Sequence, residues 1–471
     1  MGVLFNDVVI NKLSGGLGRR TPNQDMVSGL LFNTPVQPDA KIEKDKIYRL
    51  ASVKDAEDLG IDENYDKDGI SVYYQISQFF RMNPSGDLFI MRHEETKPSY
   101  ASLVANGAEL MLEQANGAIR QLAIVSQVGK AGDFSGTIAA IGEAKTVTEK
   151  AFKDFRPVEI LLEGKGFDLA KPYDLKESGA ENVSVTIAMD QELVDQGRYF
   201  VADENGNKST LYAFSQDEVL RATGVKNGEY NVFVKNSEGD ETPVTGADGS
   251  TPIVLISDDS YKNTAAVGVL LGAVSKAKVS ENIAWVEKFN LTGSGFRTVG
   301  FVGGVSVRES ETKTLDEFKY IFSRKHIGLP GVYFNDSHTC TVPTSDFTFI
   351  EANRTINKAA RIARTALLPK LNSPVLVDPD SGKLAPSVVK GFETLCRSAV
   401  ERMISNEEVS EIDVYVNPNQ DILANSELEI EMSIVPMGTA RRIIVNLGFK
   451  NPFQLNASVS APAASAPAPS V

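Results

Sequence analysis

The apolar positions near the end of the chain alternate with polar ones. In residues 427–453 Leu428, Ile430, Met432 and Ile434 are separated by Glu429, Glu431 and Ser433. That is the period of two expected of a strand with one apolar face and one wet face. Pro436, Met437 and Gly438 make a turn, and Ile443, Val445, Leu447 and Phe449 then share one face of a second strand that Pro452 ends. A terminal strand carries unpaired donors and acceptors, which another molecule's sheet can complete. Val8, Val9 and Ile10 read as a short strand of the same kind within an N-terminal arm at 1–24.

Between 25 and 163 the period switches between two and the helical value. Strands are expected at 46–50, 88–91, 122–125 and 158–162. Tyr73, Ile76 and Phe80 recur at helical spacing, as do Val104, Ala108, Met111 and Ala115, and a further helix is expected at 146–155. Asn116-Gly117 supplies a helix C-cap. Strands alternating with helices predict an α/β core, α+β over the whole chain, with helices packed on a mixed, largely parallel sheet. From 164 to 257 short apolar runs are separated by turn clusters at 203–207, 236–240 and 248–249, which reads as a β-rich insertion facing outward. Core character returns at 258–350, where Gly268 and Gly272, four apart, mark a close helix-packing face.

In the C-terminal domain, 351–453, Ile356, Ala359, Ala363 and Leu367 line one helix face, with Arg354, Lys358, Arg361 and Arg364 largely elsewhere. Val388, Phe392, Leu395, Ala399 and Met403 line a second helix, and 412–416 alternates as a strand. Residues 454–471 are rich in Ala, Pro and Ser without charge or aromatics, an expected disordered tail.

Composition narrows the partners. The 471 residues carry a formal net charge of −14, which repels phosphate backbones and anionic lipid, so neither nucleic acid nor membrane insertion is expected. The N-terminus lacks the basic-then-apolar pattern of a secretory leader, and Asn6 stands where a myristoylation signal wants Ser or Thr. The two cysteines, Cys340 and Cys396, make no disulfide framework.

Candidate chemistry is sparse. Gly15, Gly16 and Gly18 could cradle a phosphate, but Pro22 and polar residues follow where a helix should begin. Asp378 to Lys383 ends in Gly-Lys without the remaining P-loop residues and reads as a turn. Asn64, Asp66, Asp68 and Gly69 imitate a calcium loop, yet Asn replaces its first carboxylate and Gln75 its last. His93, His326 and His338 have no metal-ligand spacing, although His338 lies two residues from Cys340. No catalytic, cofactor-binding or metal-ligating residue is assigned, and no cofactor is expected.

The ordered set from the Arg354 helix through the 378–383 turn, the 388–404 helix, the 412–416 strand, Asn419-Gln420-Asp421 and the strand pair around Pro436-Met437-Gly438 resembles the C-terminal domain of contractile tail sheath proteins of bacteriophages and phage-like injection particles. The segment from Val267 to Trp285 and the opening from Asp25 to Phe32 are similar to sheath sequences too. The resemblance implies a structural, non-enzymatic subunit that polymerises with itself as stacked hexameric rings around a tail tube. It also implies contact with baseplate and tail-terminator proteins, assembly in the host cytoplasm, and a place in the virion tail or particle. The linking strands would then be Val8 to Ile10, Leu428 to Ile434, and Ile443 to Phe449. Other readings are an α/β nucleotide- or metal-binding enzyme with a β-rich lid, or another tail or baseplate component.

Overall fold

The computed structural model describes residues 24–449 except 36–39, 67–68, 191–198, 203–207, 215–218, 227–228, 236–240, 244–253, 257–258, 293–299, 304 and 307–308. Its centre is β1 (Val27–Phe32), every residue of which is buried. Covered on both faces like β4 and β5, the strand shows no alternation, and Ser28-Gly29 interrupts its aliphatic run, so Asp25 to Phe32 reads only as the opening of a compact region in the sequence. Around it run β2 (Ile47–Leu50), β3 (Asp87–Arg92), β4 (Gln121–Val125), β5 (Glu159–Glu163) and β6 (Val183–Thr186), in the order β2-β3-β1-β4-β5-β6. All neighbours pair parallel except β2 with β3. The expected α/β core is therefore present, with one antiparallel edge.

Helices cover both faces. On one side α1 (Val53–Asp58) and α2 (Val72–Met82) share a core with Leu30, Phe32, Leu88 and Ile90. On the other, α3 (Tyr100–Ser102) continues through a π-helical stretch, Leu103–Ala108, into α4 (Glu109–Gln114), and packs with α5 (Ser135–Lys153) against Leu31, Met91, Ile124 and Leu162. Asn116 and Gly117 both have positive φ and close that helix as expected. Helix α5 begins well before 146. Its first half buries Ile141 among small residues, Thr137, Ala140 and Ala144, which give a weak periodic signal.

The insertion starts later than 164. Val183 to Thr186 pair in parallel with β5, so this part of the segment completes the core sheet. After β7 (Ala188–Met189), the insertion proper holds β8 (Tyr199–Ala202), β9 (Lys208–Phe214), β10 (Val219–Lys226), β11 (Glu229–Lys235), β12 (Glu241–Pro243) and β13 (Val254–Ile256) in two three-stranded sheets, β10-β11-β12 and β13-β8-β9. The strands on either side of 203–207 and of 236–240 pair antiparallel.

The core resumes with α6 (Val267–Lys276), which lies on α2. A Cβ on Gly268 would meet the Gln75 carbonyl oxygen at 2.1 Å, and one on Gly272 the Phe79 carbonyl oxygen at 2.8 Å. The expected close packing face is real, and only glycine permits it. Strands β14 (Gly300–Phe301) and β15 (Val305–Ser306) join β7, and α7 (Glu309–Glu317) leads to the hairpin β16 (Ser323–His326) and β17 (Leu329–Phe334). The C-terminal domain contains α8 (Ile350–Leu367), α9 (Pro386–Ser405), β18 (Val409–Tyr415), α10 (Ile422–Asn425) and β19 (Glu431–Pro436). Pro386 occupies the first turn of α9, where its missing N–H costs nothing. The chain divides into two compact units, residues 1–437 and 438–471.

Candidate assembly site

Strands β18 and β19 pair antiparallel, with Ile412 opposite Ile434 and Val414 opposite Met432. One face of this ribbon packs under α9. Ile412, Val414, Met432 and Ile434 meet Cys396, Val400 and Met403 there, together with Ala359 of α8. Cys396 is buried there as a small hydrophobe, and burial raises its thiol pKa. Leu428 and Ile430 pack toward Leu384, Val389 and Val416. They stand just before β19, where Gln420 serves as a substitute partner strand. Its side-chain oxygen accepts from the Glu429 N–H at 2.6 Å and its amide donates to the Glu429 carbonyl at 2.8 Å. Of the expected linking residues, Leu428, Ile430, Met432 and Ile434 thus spend their side chains inside their own domain. The ribbon is two-stranded, so among the described residues no strand occupies either outer backbone edge.

The second expected strand does not form as a strand within the chain. Residues 438–449 carry no helix or strand and are exposed throughout. Ile443 is 80% and Leu447 92% exposed, and Val445 and Phe449 are exposed with them. A strand needs a ladder partner, and among the described residues this segment has none. Val8, Val9 and Ile10 lie outside the described residues, as do Gly15, Gly16, Gly18 and the 454–471 tail.

The basic stripe of α8 faces the core. Lys358 Nζ lies 2.6 Å from Asp25 Oδ2 and 2.6 Å from Glu408 Oε1, and Arg361 Nη2 lies 3.0 Å from Asp25 Oδ1. Arg354 is buried and donates to the carbonyls of Ala277, Lys278 and Asp25. Burial first, then the neighbouring Arg120, pushes the Arg361 guanidinium down to about 9. Reading the stripe as lying elsewhere than the packed face missed this junction. The signal was available: an acid directly before the central strand and basic residues at helical spacing on α8.

The remaining motifs serve structure. Asp66 accepts from the N–H groups of Tyr73 and Tyr74 and so caps α2, while the buried Gln75 amide bridges the Ala265 carbonyl and the Gly268 N–H. In the 378–383 turn Gly382 has φ +67° and donates to the Asp378 carbonyl. His338 Nε2 pairs with Asp316 Oδ1 at 3.0 Å. Among the described residues no group of three or more His, Cys, Asp or Glu side chains gathers as a metal site, and no helix is long and apolar enough to cross a membrane.

Two domain profiles match this chain. The DUF2586 N-terminal domain matches residues 5–212 and 240–338, and the DUF2586 C-terminal domain matches residues 346–454. The chain belongs to the DUF2586 family. Residues 213–239 of this DUF2586 protein, which hold β10 and β11, fall outside both profiles. No curated protein matches it. Among solved structures, it is similar to the helical sheath of the anti-feeding prophage in its contracted state. There the TM-score is 0.54 at 14% identity, covering 95% of this chain and 100% of that chain. A chain of the six-fold symmetrised baseplate of the same particle matches with a TM-score of 0.53 at 13% identity, covering 96% of this chain and 100% of that chain. The DUF2586 chain therefore has a sheath-type fold over nearly its whole length.

Proposed function

We propose that this protein is the structural subunit of a contractile tail sheath. Copies polymerise as stacked hexameric rings around a tail tube, meet baseplate and tail-terminator proteins at the ends, and shorten to drive the tube through a bacterial envelope. The subunit is non-enzymatic, assembles in the host cytoplasm and resides in the tail of a virion or phage-like particle. The observation that carries this reading is an apolar, period-two segment left exposed at 443–449 in a chain whose fold matches a helical sheath. Ile443, Val445, Leu447 and Phe449 have the spacing of a strand whose partner ladder is another copy's. The β18–β19 ribbon has the matching need, an apolar face already packed and outer edges without a strand. Strand addition gives directional main-chain bonds that survive rotation of the domains they link. A head-to-tail contact of this sort generates rings or open helices. Val8 to Ile10 would supply a second donor strand. Contraction energy is stored at assembly in two alternative packings of the same subunits, so no nucleotide site is required.

Negative-stain microscopy of purified full-length protein is expected to show tubes. A chain ending at Met437 is expected to keep its cooperative melt and form none. Tubes from that truncated chain refute the linking role of 443–449, and their absence from the full chain refutes the sheath reading. The baseplate match favours a second reading, a ring-forming component at the tail's end. It predicts closed rings without stacking.

A further inference from the structure

We infer that the β16–β17 hairpin is a lateral docking finger, and that its occupant is the opposite sheet edge of a second copy of this chain. The inference rests on the self-assembly proposed above and names a contact separate from the exchanged strand. The hairpin is anchored at its root, where Phe322, Ser323, Val332 and Phe334 are buried. Its tip turns at Ile327-Gly328, with Gly328 at φ +86°. There Ile327 is 98% exposed, beside exposed Arg324, Lys325 and Leu329. A rigid hairpin that holds out an aliphatic side chain between basic residues has the form of an interface anchor with a charged rim.

The topology says where its partner surface is. Ile321, just before β16, bridges Thr186 in parallel, and the Ile187 N–H donates to the Ile321 carbonyl. The finger therefore grows from the β6 edge of the central sheet. At the other edge β2 leads into α1 and the loop after it. That corner exposes Glu57, Asp58, Asp62 and Glu63 against Lys41 and Lys54, while the exposed cations along β2 are paired with acids of their own, Lys44 with Asp45, Lys46 with Glu43 and Arg49 with Asp87. Their field is felt locally. After burial, the Glu57 hydrogen bond and the charges of Glu57, Glu63 and Asp62 push the Tyr73 hydroxyl up to about 12. One sheet, about 25 Å across by strand spacing, thus ends in a basic, apolar finger on one side and an acidic corner on the other. Complementary patches on opposite edges favour a head-to-tail contact, which closes rings or runs on as an open helix. The chain carries −14 overall, so copies repel one another except where patches of opposite sign meet, and this fixes register.

The test compares tube formation by the full-length chain with that of Arg324→Glu/Ile327→Asp. The substituted side chains are solvent-exposed, so melting is expected to be unchanged, while the concentration needed for assembly rises at least about tenfold. Glu57→Lys/Glu63→Lys is expected to fail similarly, and combining the two charge reversals with Ile327 retained is expected to restore assembly. Assembly by Arg324→Glu/Ile327→Asp at the parent's concentration overturns the finger and leaves the sheath reading standing. Loss without rescue by the combined reversal overturns the assigned partner surface. Absence of tubes from the unaltered chain removes both proposals together.

Discussion

Glu159 lies in β5 with no exposure, and neither carboxylate oxygen has a hydrogen-bond partner among the described residues. Burial pushes its carboxyl well above the ordinary range, against the opposing charge of Arg354. The folded state therefore keeps a proton that the unfolded chain releases as pH rises past the usual carboxylate value. Stability is lost as pH climbs through that window and is fully present below it. Glu159→Gln removes the effect. The variant is expected to melt higher than the parent at pH 7 and level with it below about pH 4. Melting curves across that range check it, and an offset independent of pH refutes the assignment. Such a residue is invisible in a sequence, where Val158 to Leu162 reads as an ordinary strand. So is the junction of Asp25 with Lys358 and Arg361, because helical spacing identifies a stripe but not what it faces.

At the scale of elements, legibility followed periodicity. Strands at 46–50, 88–91 and 122–125 were readable from their short aliphatic runs, although β4 is buried throughout, and α2 and α9 from their helical apolar spacing. β1, equally buried, was not assigned as a strand because Ser28 and Gly29 interrupt its aliphatic run. The first half of α5 was missed because it packs with small side chains. The boundary of the insertion was set too early, since β6 carries the same short apolar pattern as an insertion strand and only its pairing with β5 separates them. Glycines sort by surroundings in a way that measurement can check. Gly268→Ala drives a methyl into the Gln75 carbonyl of α2 and is expected to cost about 1–3 kcal/mol despite the better helix propensity. Gly142→Ala, in α5 with open space around it, is expected to stabilise by up to about 1 kcal/mol. Chemical denaturation of the two variants should show opposite signs.

For the whole molecule, the sequence resemblance to sheath proteins, read in 25–32, 267–285 and the C-terminal third, agrees with a fold that matches a sheath structure over 95% of the chain. The candidate site was legible in part. The alternation at 427–434 marked a real strand, yet its apolar side chains were already committed to α9, which a one-dimensional pattern cannot reveal. The alternation at 443–449 marked apolar residues that the chain itself leaves uncovered. Because the first unit closes its cores before Gly438, the melting temperature of a chain ending at Met437 is expected to be independent of protein concentration, whereas the proposed polymerisation of the full chain is steeply dependent on it. A melting point that climbs with dilution series run from low to high concentration would mean instead that the fold needs its neighbours.

That separation at Met437 has a bearing on timing. On the assembly proposed above, a subunit that matures alone would accumulate as a finished, quiescent stock, its last segment idle until a growing end presents a vacant edge. Nucleation, rather than synthesis, would then set when and where a polymer begins, and its length would be fixed by whatever halts growth at the far end.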